Sequence, residues 1–258
     1  MTPEEARAHL DNELAQMRSR TREDKTRLSY WFPLIEAAGI PAPKTIILPT
    51  LTPKEEGELC DWAAGEGSYD GLPYLIGDIN QAAIAFGYPC FLRTDYSSAK
   101  HSWSKSCFLA SATQIKESIQ SIAEYSIMAD LMGLPIDRWV VRELLPTKPV
   151  FHAFRDMPIV REFRVFVRDS VIEHWQPYWP LHALEGQTEE PNWRELASQL
   201  NSITPEERAK VEGLALRVSA AVPGYWSVDC LDVVGRGWMV TDMAEGDKSY
   251  RWDPNESA

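Results

Sequence analysis

The sequence predicts an α+β fold whose later strands are mostly antiparallel, and three observations carry this. Two Thr-Pro-x-Glu signatures, at Thr52 to Glu55 and at Thr204 to Glu207, each open a stretch of helix-forming residues. Short β-rich runs stand between them, the clearest being the alternation from Arg161 to Arg168. Near the end, two β-rich arms flank Gly235-Arg236, a pair that suits a tight hairpin turn.

The elements follow in order. Pro3 to Leu28 is charged and carries Leu10, Leu14 and Met17 as a surface helix would. Lys44 to Leu51 reads as a short buried strand. Thr52 then caps a helix, with Pro53 at its first position and Glu55 completing a capping box. Pro89 to Thr94 is a strand, and a loop of small residues from Tyr96 leads to a second apolar run at Cys107 to Ala110. Ser111 to Met132 places Ile115, Ile119, Ile122 and Tyr125 at helical spacing. Arg138 to Leu145 is a buried strand that Pro146 stops. In Arg161 to Arg168, Glu162, Arg164 and Phe166 share one face, while Phe163, Val165 and Val167 share the core face. Val171 to Trp175 is its hairpin partner. Gln176 to Asn201 is rich in Pro, Trp, His and Glu without a clean period, and reads as a long excursion of the lid or binding kind. Thr204 opens a helix that buries Val211, Leu214, Ala215 and Val218, and Tyr225 to Met243 supplies the two arms of the last hairpin.

At 258 residues and 44% hydrophobic composition, the chain can build one large domain or two small ones around a proper core. Charged residues make up 25% of the chain and no apolar run approaches the ~18 residues of a membrane helix. The acidic opening lacks the basic and apolar regions of a signal peptide, so the cytoplasm is the expected address. Cys60, Cys90, Cys107 and Cys230 form no CxxC pair and read as reduced core residues. A net charge of -12 argues against nucleic acid as a partner, because phosphate backbones are repelled by acidic surfaces.

The candidate chemistry begins in the hairpin. With Gly235 at the first central position of a two-residue turn, Val234 pairs with Gly237, Asp229 faces Asp242, and Asp232 faces Met239 on the other side. Like charges about 5 Å apart on neighbouring strands destabilise each other. A shared proton, a nearby arginine or lysine, or a divalent cation would compensate, unless both side chains simply point into solvent. Magnesium suits hard carboxylate oxygens and typically takes one or two protein carboxylates with substrate phosphates. Glu245 follows closely, as a further ligand or an ordinary turn residue, and Asp247 reads as a solvated turn residue.

Upstream, Phe91-Leu92-Arg93-Thr94-Asp95 runs into Ser97-Ser98-Ala99-Lys100-His101-Ser102-Trp103. Such a loop can fold over phosphates, with the lysine adding charge, or be a solvated hairpin loop. It is not a Walker loop, since the glycines and the GK[ST] ending are missing. The strand end at Glu143-Leu144-Leu145-Pro146 can offer its backbone to an adenine edge. Arg164, between Glu162 and Phe166, is either a structural ion-pair partner or a phosphate clamp. His101, His152, His174 and His182 lack a metal spacing, and neither a Ser-His-Asp arrangement nor HExxH occurs.

The order of these segments, over roughly Pro89 to Trp252, resembles the ATP-grasp fold, in which two α+β subdomains close on a nucleotide. Within that superfamily the chain is similar to the divergent bacterial and phage group with an Arg-Thr-Asp strand before a Ser-x-Lys-His-x-Trp loop, here Arg93 to Asp95 and Ser98 to Trp103. Glu162-Phe163-Arg164 and Ser227-Val228-Asp229 are similar to the eukaryotic cell-division-cycle branch, an ATP-binding assembly factor.

The resemblance implies an N-terminal region over 1–85, a first subdomain over 86–140 and a second over 141–258. It implies ATP and magnesium as cofactors. Arg93 and Lys100 would contact phosphates, and Glu143 and Leu145 would present backbone groups to adenine. Arg164 would reach the γ-phosphate or an acyl-phosphate, with Lys100 as its catalytic companion, and Asp229 and Asp242 would bind magnesium. Where the family usually ends in acid-x-Asn, this chain has Asp242-Met243-Ala244, so that either Glu245 substitutes as the third ligand or one metal contact, and with it catalysis, is lost. The implied activity is an ATP-dependent ligase that phosphorylates a carboxylate on a small molecule, peptide or protein and lets an amine displace the phosphate. The alternative is an ATP-binding assembly factor that closes on nucleotide without transferring phosphate. The acceptor is expected to touch Trp175 to His182, Trp193 or Lys248 to Trp252.

Overall fold

A computed structural model describes residues 24–129 and 133–253, so most of the helix expected over Pro3 to Leu28 lies outside the described residues. Helix Leu28–Ala37 (α1) buries Leu28, Trp31, Phe32 and Ile35, one face at helical spacing. The strand expected over Lys44 to Leu51 is shorter, Thr45–Ile47 (β1). Thr52 then caps Pro53–Ala63 (α2): its hydroxyl accepts from the Glu55 N–H at 3.3 Å while the Glu55 carboxylate accepts from the Thr52 N–H at 2.7 Å. Two donors that a helix start leaves without partners are thereby satisfied.

Helix Leu72–Phe86 (α3) leads to Cys90–Thr94 (β2) and Phe108–Leu109 (β3). The connection between these strands is more than a hairpin loop, because Lys100–Lys105 winds into a 3₁₀ turn. Helix Ile115–Met128 (α4) buries Ile115, Ile119 and Ile122 as predicted, but Tyr125 is 45% exposed. The buried stripe passes through Ser126 instead, one residue further round the helix. Trp139–Glu143 (β4) pairs antiparallel with both β1 and β2, giving a sheet in the order β1-β4-β2-β3. Leu59, Leu75, Ile79, Leu92, Ile119 and Trp139 form its core with α2, α3 and α4. The expected division at residues 140 and 141 falls inside β4, and β1 and α2 share this sheet and core.

A short hairpin, Phe151–Ala153 (β5) with Met157–Ile159 (β6), precedes Glu162–Arg168 (β7) and Val171–Pro177 (β8). Gln176 to Asn201 is not an irregular excursion. It contains helices Leu181–Leu184 (α5) and Trp193–Leu200 (α6), whose Leu184, Ala197 and Leu200 share a small core with Phe151, Met157 and Ile159. Helices this short carry too few turns for a period to stand out in the sequence.

Pro205–Ala221 (α7) is capped by Thr204 and Glu207 and buries the four predicted residues. Tyr225–Val233 (β9) and Gly237–Glu245 (β10) complete a second sheet in the order β10-β9-β7-β8. Phe163, Val165 and Val167 pack with Trp31 of α1 and Leu214 and Val218 of α7, which leaves Arg164, Gln176 and Asp229 on the opposite face. Cys60, Cys90, Cys107 and Cys230 take part in no disulfide among the described residues, and all but the half-buried Cys60 are buried. Among the described residues no helix is long and apolar enough to cross a membrane.

Candidate functional site

The β9–β10 hairpin brings Asp229 opposite Asp242, but by a route the turn chemistry does not announce. Gly237 pairs with Val233, so Val234, Gly235 and Arg236 all lie in the turn and Asp232 faces Trp238, not Met239. Gly235 at φ 73° and Gly237 at φ 74° adopt the left-handed conformation that glycine takes at little cost. Thr241 then bulges out of register between Val240 and Asp242. A bulge adds one residue to one strand, so the two offsets cancel and the aspartates meet.

Each aspartate has its own arginine. Arg164 donates from Nε to Asp229 Oδ1 at 2.7 Å and from Nη2 to Oδ2 at 2.8 Å, a two-armed pair. Arg93 Nη1 reaches Asp242 Oδ2 at 3.0 Å. Of the compensations that two opposed carboxylates call for, the structure uses neighbouring cations. Burial alone would raise the Asp242 carboxyl, but Arg93 and Arg142 outweigh it and hold the group below the usual carboxylate range. The Asp242 side chain is 42% exposed.

Asp242 borders a cleft of about 370 Å³ between the two sheets, lined by Arg93 of β2, Arg142 and Glu143 of β4, Glu162 of β7 and Lys100 of the 3₁₀ turn. Phe91, Trp103, Phe108 and Leu145 supply apolar wall. Volume and make-up match a small-molecule site, mostly apolar with a few placed polar groups. Lys100 Nζ lies 3.9 Å from the centre of the Tyr178 ring, and the Arg164 guanidinium lies 4.9 Å from the same ring. Burial disfavours the Lys100 ammonium, but Tyr178 and Glu162 more than restore it, so the lysine stays charged. His101 stacks on Phe154 at 4.6 Å, which ties the Lys100 turn to the tip of the β5–β6 hairpin.

The cleft brings Arg93, Lys100, Glu143, Leu145 and Asp242 together, and Arg164 and Asp229 adjoin it through Tyr178. The Glu143 carboxylate is committed to Arg236 at 2.8 Å and to the Lys44 N–H at 2.9 Å, and its own N–H donates to the Lys44 carbonyl at 2.9 Å, so neither group is available to a ligand. Glu245 is placed elsewhere. It pairs with Lys248 at 2.8 Å, its N–H donates to Thr26, and strand alternation beyond the bulge puts it on the face opposite Asp242.

Arg142 is the residue that sequence reasoning missed. It is 4% exposed, burial and the neighbouring Arg93 push its guanidinium down to about 9, and its Nη2 is buried without a hydrogen-bond partner. A charged residue inside the apolar run Trp139-Val140-Val141 was the available signal, since arginine is rarely buried without a reason. A buried donor left unpaired costs about 1–3 kcal/mol, a cost that a bound anion would remove.

Glu162 is buried beside these groups, and burial pushes its carboxyl up to about 7, with Lys100 opposing and Asp229 adding to the rise. A raised carboxyl contributes stability that is complete below the ordinary carboxylate range and is lost as pH rises through the folded value. Glu162→Gln is therefore expected to melt with the parent near about pH 4.5 and above it at pH 8, where the parent carries a buried charge. Thermal unfolding at the two pH values checks this, and a variant less stable than the parent at pH 8 would contradict it.

A family model described as an ATP-grasp domain, clade family 3, matches residues 83–226 and so stops short of Asp229 and Asp242. No curated protein matches the chain. Among solved structures, Cdc123 from Schizosaccharomyces pombe is similar at TM-score 0.56 and 13% identity, over 90% of this chain and 90% of that one. Its C-terminally truncated form gives TM-score 0.55 at 13% identity, over 85% and 83%. A carboxyaminoimidazole ribonucleotide synthase from Aspergillus clavatus complexed with ATP gives TM-score 0.50 at 11% identity, over 88% of this chain and 46% of that one. At these identities the likeness is one of fold, the ATP-grasp fold expected from the segment order.

Proposed function

Because the chain belongs to this clade family of ATP-grasp domains, we propose that the cleft between its sheets binds ATP with magnesium and serves a carboxylate–amine ligase acting through an acyl-phosphate. The observation that carries this reading is the convergence of Arg93, Lys100 and Arg142 on a cleft with apolar walls, one of them with a buried donor still unpaired. Three cations suit a polyphosphate, and the apolar wall with the carbonyl of Glu143 and the backbone at Leu145 suits a purine.

Among the described residues no group of three or more His, Cys, Asp or Glu is placed to hold a metal alone. That donor set fits an ion that completes its shell with phosphate oxygens, held by Asp242 and by Asp229. When bound, magnesium would neutralise charge on the phosphates. Lys100 and Arg164, gathered on one Tyr178 ring, would stabilise charge on the transferred phosphoryl group, and Asp229 fixes the orientation of Arg164. Cys90 and Cys107, on and beside β2, do not offer a competing nucleophile, since burial raises their thiols to about 11 and about 12.

Saturating ATP with magnesium is expected to raise the melting temperature of the purified chain by several degrees, on the basis of about 2.7 kcal/mol at a hundredfold excess over Kd. Asp242→Asn is expected to lose most of that shift. Absence of the shift, or its survival in Asp242→Asn, would sink the reading.

Ala244 favours a second reading, an ATP-binding assembly factor without turnover. It lies two residues from Asp242 on the same strand face, opposite Ser227, and offers no side-chain ligand. Phosphate release over a panel of amino acids and carboxylates separates the two.

A further inference from the structure

The face that carries Arg164 extends beyond the cleft along two cross-strand pairs, Arg164 with Gln176 and Phe166 with His174. The segment from Ser249 to Trp252 lies across it, and its main chain is held by four hydrogen bonds. Gln176, 1% exposed, donates from Nε2 to the Tyr250 carbonyl at 3.2 Å and accepts at Oε1 from the Trp252 N–H at 3.0 Å. His174 Nε2 donates to the Trp252 carbonyl at 2.9 Å, and Arg164 Nη1 donates to the Tyr250 carbonyl at 3.5 Å.

In an extended chain, the carbonyl of one residue and the N–H two residues on point to the same side. The buried amide of Gln176 therefore makes the two bonds that a neighbouring β-strand would make, and only one orientation of that amide satisfies both. The side chains of the segment add contacts, Ser249 Oγ to Ser227 Oγ at 2.5 Å, the Tyr250 hydroxyl to His182 Nε2 at 3.4 Å and Arg251 over the Phe166 ring at 5.6 Å, yet Tyr250 is 58% exposed and the Trp252 indole N–H is buried without a hydrogen-bond partner. A buried polar group left unpaired weakens an occupant, whereas the main-chain bonds would suit any extended peptide.

The geometry points to an extended-peptide site at His174, Gln176 and Arg164, filled here by the chain's own Ser249 to Trp252 segment. Resting on the ATP reading above, this makes the acceptor a peptide, because the occupant of the site shares Arg164 with the reacting end of the cleft. Another peptide enters by displacing the segment and taking over the two Gln176 bonds.

The test uses the full chain and a fluorescein-labelled peptide of the sequence Ser-Tyr-Arg-Trp-Asp, read by anisotropy. Trp252→Pro removes the N–H that Gln176 accepts, so this variant is expected to bind the peptide at least about tenfold tighter than the parent. Tyr250→Gly, which loosens the segment without a proline, is expected to move binding in the same direction. A peptide N-methylated at its tryptophan is expected not to bind either variant, a control independent of how well any variant folds. Equal binding by parent and both variants, or full binding of the N-methylated peptide, would overturn the proposal. The ATP-dependent thermal shift is measured on the same proteins. An intact shift without peptide binding removes the peptide site alone, and peptide binding without a shift removes the ATP reading and leaves the peptide site standing.

Discussion

Arg27→Met is expected to lower the free energy of unfolding by about 3–5 kcal/mol, a fall of roughly 10 °C in melting temperature for a chain of this size. Arg27 is 4% exposed, and its guanidinium donates to Asp95 at 2.7 Å and to Asp137 at 2.7 Å. Both carboxylates are 1% exposed. Removing the cation takes away the positive charge that two buried carboxylates share, and that penalty exceeds the worth of the lost bonds. Asp95 also accepts from the Ser29 N–H at 2.6 Å and its hydroxyl at 2.7 Å, so it satisfies donors at the start of α1. Asp95→Asn keeps an acceptor for those donors and is expected to cost less than Asp95→Ala. Thermal melts of the three variants decide, and a loss under about 1 kcal/mol for Arg27→Met would show that water screens the triad.

That triad marks where sequence reading stops. Arg93-Thr94-Asp95 reads as one strand motif with Arg93 on the phosphates, yet Arg93 turns to the cleft and Asp95 to α1, beyond the end of the strand at Thr94. Its partner Arg27 stands 68 residues upstream with no motif around it. The capping boxes at Thr52 and Thr204 were legible because their hydrogen bonds span three residues. The opposition of Asp229 and Asp242 was legible only because the bulge at Thr241 offset the longer turn, and neither feature has a signature in the residues. Tyr178, which gathers Lys100 and Arg164, follows the end of β8 and is far from Lys100 in the chain. Local chemistry predicts caps and alternation, whereas the site is made by contacts between segments.

Arg164→Leu separates a structural ion pair from a working phosphate cation, the two roles its sequence context left open. The substitution leaves Asp229, 4% exposed, without its two-armed partner, and stability is expected to fall by about 3–5 kcal/mol. Removing the stranded charge as well, in Arg164→Leu with Asp229→Leu, is expected to restore most of that loss, since a buried pair replaced by apolar residues is often near neutral. Stability alone would then look native. Nucleotide binding would not. Losing a charge-assisted bond costs about 1.5–3 kcal/mol, so ATP without magnesium, whose binding does not call on Asp229 as a metal ligand, is expected to bind about 10- to 150-fold more weakly to the double variant while adenosine binds as before. Isothermal titration with both ligands reads the difference. If the double variant kept the ATP affinity of the parent, Arg164 would be a structural partner of Asp229 only, and the phosphate work would fall to Arg93, Lys100 and Arg142. Arg164→Lys sharpens the point, because lysine keeps the charge but lacks the fork that grips both oxygens of Asp229. Partial ATP affinity with lowered stability in that variant would show that orientation by Asp229, and not charge alone, is what Arg164 brings to the cleft.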